Sequence, residues 1–353
     1  ETITDLKLAP TNSDGRVAFT SKFSLITPSD ANLGNNRLVV DIVNRGRPLI
    51  HSNFNRVDLF NNDEGDGFLF NNGYSVLSLG WQWDVIEDDA LFGLKAPFAE
   101  INETGFRGET VVEIRPNSIE QTYLLANRIH TPNTPIDIND PNARLTVRDW
   151  EDGPDTKIPR SEWSFVNKTS SGVEPGNEYV YMEKGFQPGK IYYLAYTPSI
   201  APVVGVGMLA VRDVASFFKS DSNLNPRNKS FDKVFGFGIS QTGRMQRHML
   251  YLGLNLDEEG EIAYDGHIVH ADHFDEGIYD YIICLMVEMN HDEDGCNFHH
   301  CAKINLQDIS LKQVSDIEFL AVLISFLDLG LMDSDDVDFS ESNIDFALDA
   351  IAN

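Results

Sequence analysis

One short segment of the chain, Gly-Ile-Ser-Gln-Thr-Gly at residues 238–243, has the residue types and the spacing of a nucleophilic site. It follows the apolar run 233–238, which predicts a buried strand, and precedes residues 244–254, whose apolar side chains have helical spacing. A serine at such a tight strand-to-helix turn is presented above the sheet, and the next backbone N–H, that of Gln241, points at a developing oxyanion. The segment therefore predicts acyl transfer through an ester of Ser240.

The same segment has a simpler interpretation, because Gly-x-Ser-x-x-Gly matches also occur in turns without chemistry. Thr242 departs from the stricter Gly-x-Ser-x-Gly pattern, since a β-branched residue stands where glycine is usual. The choice between the two interpretations depends on the elements around the motif.

The runs on either side of the motif predict the elements that position it. Residues 37–43 are apolar and β-branched, as in a strand buried in a parallel sheet, and residues 73–81 and 266–270 predict further strands. Residues 201–218 have helical spacing. Strands separated by helices favour an α/β fold with a doubly wound, mostly parallel sheet, in which functional groups lie at the carboxyl ends of the strands.

The middle of the chain has a different pattern. There the helical period fades, and short strand-like segments alternate with turns rich in proline and asparagine. We therefore expect a β-rich insertion at residues 95–200, which either covers the site and sets substrate choice or is purely structural. It would separate the two parts of the core, residues 1–94 and 201–277, and a divergent acidic tail would follow at residues 278–353.

Several stretches in chain order extend the pattern beyond the serine motif. They are residues 44–46, 65–69, 73–82, 143–149, 158–163, 185–192, 202–207, 210–213 and 238–247, with Tyr251, Gly253, Asn255, Asp265 and Gly266 behind them. Through these stretches, which cover roughly residues 37–270, the chain resembles a family of large bacterial proteins described as an alpha/beta hydrolase domain. The resemblance implies a sheet of α/β-hydrolase type and an ester hydrolase.

The resemblance also implies roles for two groups of residues at strand ends. In α/β-hydrolases a second oxyanion donor comes from the loop after the third strand, the place that Asn44 and Gly46 occupy here. The alternative is that they only form a tight turn. Trp81, Gln82 and Trp83 are expected to line an acyl pocket, and the alternative for them is ordinary packing at a strand end.

A serine hydrolase of this type also needs a histidine and an acid, which follow the serine in chain order. His270 and His273, with Asp272 between them, are the first candidates, because they follow the strand next to that of Ser240. The other histidines and acids that we consider are His291, His299 and His300, with Asp275, Asp292 and Asp294. Past about residue 277 the resemblance stops, so the alternative function is a catalytically inactive protein with a binding or vestigial role.

The tail contains two patterns that resemble metal sites. Residues 296–301, which read Cys-x-x-His-His-Cys, contain ligand types of a zinc site but lack its usual paired spacing, and Cys296 and Cys301 are also placed for a local disulfide. Residues 290–295 resemble the first half of a calcium loop, but its twelfth position is Cys301 and not glutamate. We therefore expect no metal and no cofactor.

Composition limits the partners of the chain. A formal net charge of −28 opposes binding to nucleic acid, and 42% hydrophobic residues favour a folded protein. The apolar run 319–327 is too short to span a membrane and predicts a buried helix, so we expect no membrane insertion. The chain begins at Glu1 and not at methionine, so we expect either a missing N-terminus or a removed signal peptide, and the second alternative favours a secreted or periplasmic location over a cytoplasmic one. The expected partner is a small-molecule ester.

Overall fold

A computed structural model of the chain describes residues 3–58, 65–99, 108–126, 128, 130–270 and 281–285. The α-helices within these residues are α1 (Ile50–Phe54), α2 (Phe68–Asn71), α3 (Val206–Lys219) and α4 (Gln241–Tyr251), and 3₁₀ turns lie at Leu6–Leu8, Ala31–Leu33 and Arg160–Glu162. The strands are β1 (Thr20–Ser21), β2 (Phe23–Ile26), β3 (Arg37–Ile42), β4 (Ser75–Leu79), β5 (Leu94–Lys95), β6 (Thr110–Ile114), β7 (Glu120–Leu124), β8 (Arg144–Arg148), β9 (Thr156–Ile158), β10 (Trp163–Thr169), β11 (Gly172–Pro175), β12 (Tyr179–Phe186), β13 (Ile191–Tyr196), β14 (Lys233–Ile239), β15 (Gly266–His270) and β16 (Tyr281–Leu285).

The chain divides into two compact units. Residues 1–22 and 81–207 form the first unit, and residues 23–80 and 208–353 form the second.

The first unit is a β-sandwich. Its two four-stranded sheets have the strand orders β11-β10-β12-β7 and β6-β13-β8-β9, and all of their pairings are antiparallel. One apolar cluster joins the two sheets: Leu145 and Leu194 come from one, and Phe165 and Val180 from the other. Because side chains alternate between the faces of a strand, each sheet buries every second residue against its partner. The short strands predicted in the middle of the chain are therefore present.

The second unit contains a six-stranded sheet with the order β16-β15-β14-β3-β4-β2. Its four middle strands are parallel, and the two edge strands, β16 and β2, run antiparallel to their neighbours. β3 and β4 are buried on both faces, as the apolar runs in the sequence predict. Helices α1 and α2 pack on the face that carries Val39, Phe237 and Ile268. α4 packs on the opposite face, over the backbone of Gly236 and Gly238.

The prediction of a doubly wound, mostly parallel sheet of α/β-hydrolase type is wrong. Among the described residues nine strand pairings are antiparallel and three are parallel. A doubly wound sheet needs a packed helix after nearly every strand. Here the connection from β3 to β4 holds helices of only five and four residues, and most of the connection from β4 to β14 forms the antiparallel sandwich before helix α3.

In the part of the chain that the structure describes, no helix has both the length and the apolar character needed to cross a membrane. The apolar run 319–327 and the whole tail after residue 285 lie outside the described residues.

Candidate nucleophilic site at the end of β14

Ser240 lies between the last residue of β14 and the first residue of α4. β14 is an inner strand of the second unit's sheet, with parallel β3 on one side and parallel β15 on the other. The strand-turn-helix arrangement that the sequence predicted around Ser240 is therefore confirmed. Ser240 itself is half-buried.

The backbone of Ser240 has φ 55° and ψ −112°. A side chain disfavours positive φ because its Cβ crowds the neighbouring peptide, and a residue held in such a sparsely populated conformation costs about 1–3 kcal/mol. Glycine is the residue that adopts this conformation without that cost. A serine there means that the surrounding structure imposes the geometry.

Hydrogen bonds fix the peptide units on both sides of Ser240. The carbonyl oxygen of Ile239 accepts from Asn44 Nδ2 at 3.0 Å and from the Thr242 hydroxyl at 3.1 Å. Since the peptide bond is planar, these two bonds also orient the N–H of Ser240. On the other side, the carbonyl of Ser240 accepts the N–H of Arg244 at 2.9 Å, the first bond of α4. Both backbone dihedrals of Ser240 are thereby constrained.

Thr242 has a structural reason to replace the usual glycine of the motif. Its side chain is fully buried, and its hydroxyl accepts the N–H of Ile239 at 2.9 Å while it donates to the carbonyl of the same residue. One side chain therefore bonds both backbone groups of Ile239, and it shares the carbonyl with Asn44. Glycine at this position would supply neither bond.

Gly238 is required by the close approach of α4 to β14. A Cβ added to Gly238 would lie 2.3 Å from Gln246 Nε2 and 2.9 Å from the backbone carbon of Thr242. Real Cβ atoms do not come this close to other atoms, so any side chain at this position must push the helix away. The glycine two places before the serine thus has a direct steric cause.

Residues 44–47 form a tight two-residue turn. Asn44 and Arg47 exchange backbone hydrogen bonds, each at 3.0 Å, and both central residues have positive φ, 51° at Arg45 and 80° at Gly46. This is the pattern of a type I′ turn. One N–H of the Asn44 amide already donates to Ile239, which makes Asn44 a clamp on the serine turn. The oxyanion roles of Asn44 and Gly46 stay predictions.

Gln241 is the first residue of α4, an eleven-residue helix whose N-terminus lies at Ser240. The first N–H groups of a helix have no acceptor within the helix, and the helix dipole adds partial positive charge at the same end. Both effects favour an anion beside the Ser240 hydroxyl. The Gln241 side chain also has a buried Oε1 atom that no donor in the described residues satisfies.

The histidines and acids predicted to activate Ser240 lie at or beyond the edge of the described structure. His270 is the last residue of β15, and its backbone pairs with Ile239, one residue before Ser240. The side chain of His270 lies outside the described residues, as do Asp272 and His273 and the other candidates in the tail, His291, His299, His300, Asp275, Asp292 and Asp294. These assignments stay predictions.

Trp81, Gln82 and Trp83 belong to the first unit, whereas Ser240 belongs to the second. All three are half-buried and follow β4 after a single glycine. Their role as an acyl pocket stays a prediction.

A buried polar pair near the turn has no counterpart among the residues predicted from the sequence. His267 Nδ1 lies 2.7 Å from Gln246 Oε1, and neither residue is exposed. Burial lowers the pKa of His267 to about 3, so its imidazole is neutral near pH 7. Because the amide oxygen of Gln246 only accepts, Nδ1 carries the proton and donates. The signal in the sequence was a glutamine on the buried face of α4, between Met245 and Met249.

A second buried titratable group, Asp41, anchors the segment that follows the turn at residues 44–47. Its Oδ2 accepts the N–H of Leu49 at 3.0 Å and that of Ile50 at 3.3 Å. Burial raises the pKa of Asp41 to about 7, against the opposing effect of these hydrogen bonds. The segment from 44 to 50 is thus held by Asn44 at the serine turn and by Asp41 at its far end.

Among the described residues no group of three or more histidine, cysteine, aspartate or glutamate side chains is arranged to hold a metal ion. The zinc-like pattern at residues 296–301 and the calcium-loop-like pattern at residues 290–295 lie outside the described residues.

Comparison of the chain with models of protein families, with curated proteins and with solved structures found no match. The resemblance to the alpha/beta hydrolase domain family stays a prediction from the motifs in the sequence.

Proposed function

We propose that this protein is a serine hydrolase that cleaves a carboxylic ester through an acyl-enzyme, with Ser240 as the nucleophile. The observation that carries the proposal is the backbone of Ser240, a serine held at φ 55° and ψ −112° between an inner parallel strand and a helix N-terminus. A strained residue is retained only where its surroundings over-determine it, and such residues cluster at functional sites. Ser240 is half-buried, so part of the residue is exposed.

The reaction begins when Ser240 Oγ attacks the carbonyl carbon of the ester and gives its proton to a general base, for which we propose His270 or His273 with Asp272 as the acid. Negative charge then collects on the carbonyl oxygen. The N–H of Gln241 donates to it at the N-terminus of α4, where the helix dipole adds favourable potential. The alcohol leaves with the proton from the base. Water, activated by the same base, then hydrolyses the acyl-Ser240 ester.

Labelling with a fluorophosphonate probe tests this proposal, because such probes react with activated serines and form a stable adduct. We expect the folded protein to be labelled and Ser240→Ala to show no labelling above background. The matched control is Ser52→Ala in α1, a half-buried serine whose hydroxyl donates to the Leu49 carbonyl, and it should label like the wild type. A folded wild-type protein that does not react would point instead to an inactive protein with a binding role.

The same probe also tests the proposed base. His270→Ala and His273→Ala should be compared by their labelling rate constants at equal folded concentration. A general base contributes about 10²- to 10⁴-fold to the rate, so the residue that acts as the base should show a loss of that size. Losses below tenfold in both variants would exclude both histidines from the role.

A further inference from the structure

We propose that Gln246 and His267 form a positioning pair that holds α4 against β14 at the distance that Ser240 requires, an inference that rests on the function proposed for Ser240. Neither residue is assigned a part in the chemistry itself. They act through the backbone of the turn, so they are positioning residues.

The pair joins the helix after Ser240 to the strand beside it. Gln246 lies on α4, five positions after the first residue of the helix, and His267 lies on β15, where it pairs in register with Gly236 of β14. Their side chains meet at 2.7 Å over the backbone of β14. Both are completely buried, so water does not compete for this bond.

The backbone of β14 lies directly against the pair. A Cβ on Gly236 would lie 2.6 Å from Gln246 Oε1 and 2.8 Å from His267 Nδ1, and one on Gly238 would lie 2.3 Å from Gln246 Nε2. The two glycines therefore leave room for the amide and imidazole and for nothing more. The Gln246 amide consequently acts as the spacer between helix and strand at the position two residues before Ser240.

This spacing reaches Ser240 through the first turn of the helix. The carbonyl of Ser240 accepts the N–H of Arg244, so any shift of α4 relative to β14 changes the ψ angle of Ser240 and the direction of its hydroxyl. The same shift would move the N–H of Gln241, which begins the helix. The pair thus controls the relative position of the nucleophile and its oxyanion donor.

The pair also contains polar atoms that a purely structural contact would avoid. Gln246 Nε2 and His267 Nε2 are both buried, and neither has a hydrogen-bond partner among the described residues. An apolar pair of similar size would bury no such atoms and would be expected to stabilise the fold more. An apolar pair lacks a directional hydrogen bond, which holds α4 and β14 at one separation. A nucleophile needs its surroundings fixed in this way.

The test measures two quantities for each variant: the rate constant of fluorophosphonate labelling at saturating probe, and the probe concentration that gives half of that rate. Gln246→Met keeps the length of the side chain but removes the acceptor, and we expect the saturating rate constant to fall about 10- to 100-fold with little change in the half-saturating concentration. His267→Leu should have the same effect. His267→Asn, whose amide nitrogen can take the place of the Nδ1–H donor, should stay within about threefold of the wild type.

Asn255→Ala provides the matched control. Asn255 is also buried and bonds the backbone of Tyr264 through both of its side-chain polar atoms, but it lies beyond the C-terminal end of α4, more than ten residues from Ser240. It should lower the melting temperature and leave the labelling rate of the folded protein unchanged. If Gln246→Met does not fold, His267→Leu and His267→Asn still form the comparison.

Three results would contradict the inference, and they are distinguishable. If the wild type labels and Gln246→Met and His267→Leu label at the wild-type rate, the pair is only structural, and the function proposed for Ser240 stands. If the folded wild type does not label at all, the function proposed for Ser240 fails, and the positioning role fails with it. A rate loss in Asn255→Ala equal to that in Gln246→Met would also contradict a specific role for the pair.

Discussion

The two units of the molecule bury different kinds of side chain. The first unit closes its sandwich with aromatic and aliphatic residues such as Trp163, Phe165 and Tyr192, and it pairs its charges on the outside, as in the exposed contact between Lys184 and Glu162. The second unit buries polar side chains around the parallel part of its sheet: Asp41, His51, Asn55, Ser75, Ser78, Arg212, Asn225, Thr242, Gln246, Asn255 and His267. Among the described residues of the first unit, His130 alone belongs to the buried polar class.

This difference supports our proposal that the functional site lies in the second unit. Burying a polar group costs free energy unless the group is hydrogen-bonded, and replacing a buried polar pair by apolar groups of the same shape can be neutral or stabilising. The described buried residues of the first unit are mostly apolar, as expected of a core that stabilises the fold. The second unit retains buried polar side chains close to Ser240, among them Thr242 and Gln246, as expected of a site that must hold a fixed geometry.

The largest expected effect comes from Gly238. Gly238→Ala would place a Cβ 2.3 Å from Gln246 Nε2 and 2.9 Å from backbone, so α4 must move or the fold must open. We expect a loss of at least about 4 kcal/mol in the free energy of unfolding, measured by urea denaturation, together with loss of fluorophosphonate labelling. Gly253→Ala is the control, because Gly253 has φ 72° but open space around it, so only backbone strain of about 1–2 kcal/mol is expected. Equal losses in the two variants would contradict close packing of α4 on β14.

The next effect concerns the free energy of unfolding, to which His267 and Asp41 contribute with opposite dependences on pH. The pKa of His267 is 6.5 in the unfolded chain and about 3 in the folded protein, so the unfolded state binds more protons between these two pH values. The contribution of His267 to the free energy of unfolding is therefore lost as the pH falls from about 6.5 to about 3. The pKa of Asp41 rises from 3.8 to about 7 on folding, so the folded state binds more protons, and the stability from Asp41 is lost as pH rises from about 4 to about 7. In the wild type the two slopes nearly cancel between about pH 4 and 6.5.

Single variants should reveal these slopes. In His267→Asn the free energy of unfolding should fall with rising pH, and in Asp41→Asn it should rise, each by about 1.4 kcal/mol per pH unit at most. Urea denaturation at several pH values between about 4 and 6.5 provides the measurement. Two parallel curves would show that these side chains titrate in the folded state as they do in water.

A third, smaller effect should come from the Thr242 hydroxyl. Thr242→Val keeps the shape of the side chain but leaves the N–H of Ile239 buried without its acceptor, which should cost about 1–3 kcal/mol and slow labelling. Thr122→Val on β7 of the first unit is the matched control, since this half-buried threonine contributes to a sheet face and not to a turn, and a change within about 0.5 kcal/mol is expected. If Thr242→Val changes neither the free energy of unfolding nor the labelling rate, the hydroxyl does not help to hold the serine turn.

The smallest effect should be a gain in stability. Ser240→Gly removes the Cβ that crowds the backbone at φ 55°, and after the entropic cost of glycine we expect a net gain of about 1 kcal/mol. Ser240→Ala keeps the Cβ and should show no such gain. Thermal unfolding of the two variants side by side measures the difference, and a Ser240→Gly protein less stable than Ser240→Ala would show that Ser240 is unstrained.

Local elements of the fold could be predicted from the sequence, but their pairing could not. β3, β14 and α4 follow from apolar runs and helical spacing, which are properties of neighbouring residues. The antiparallel edges β2 and β16 and the strand order of the two sandwich sheets depend on contacts between distant segments. This is why the predicted doubly wound sheet was wrong even though many of its strands were placed correctly.

The same distinction applies to the site. The position of Ser240 between strand and helix follows from six consecutive residues, whereas the bond that helps to fix its geometry joins Asn44 to Ile239 across 195 residues. The contact between Gln246 and His267 links a helix face to a strand that, on sequence alone, is only two apolar residues between two histidines. The histidine and acid that would activate Ser240 are still predictions from the sequence.

The central claim is that Ser240 is an activated nucleophile, and the stoichiometry of its modification tests that claim most directly. The folded protein should be incubated with a fluorophosphonate, its intact mass measured, and the adduct located by peptide mapping. The account predicts one adduct per chain, on the peptide that contains Ser240, and none in Ser240→Ala. No adduct on well-folded protein, or an adduct on another serine that persists in Ser240→Ala, would contradict it.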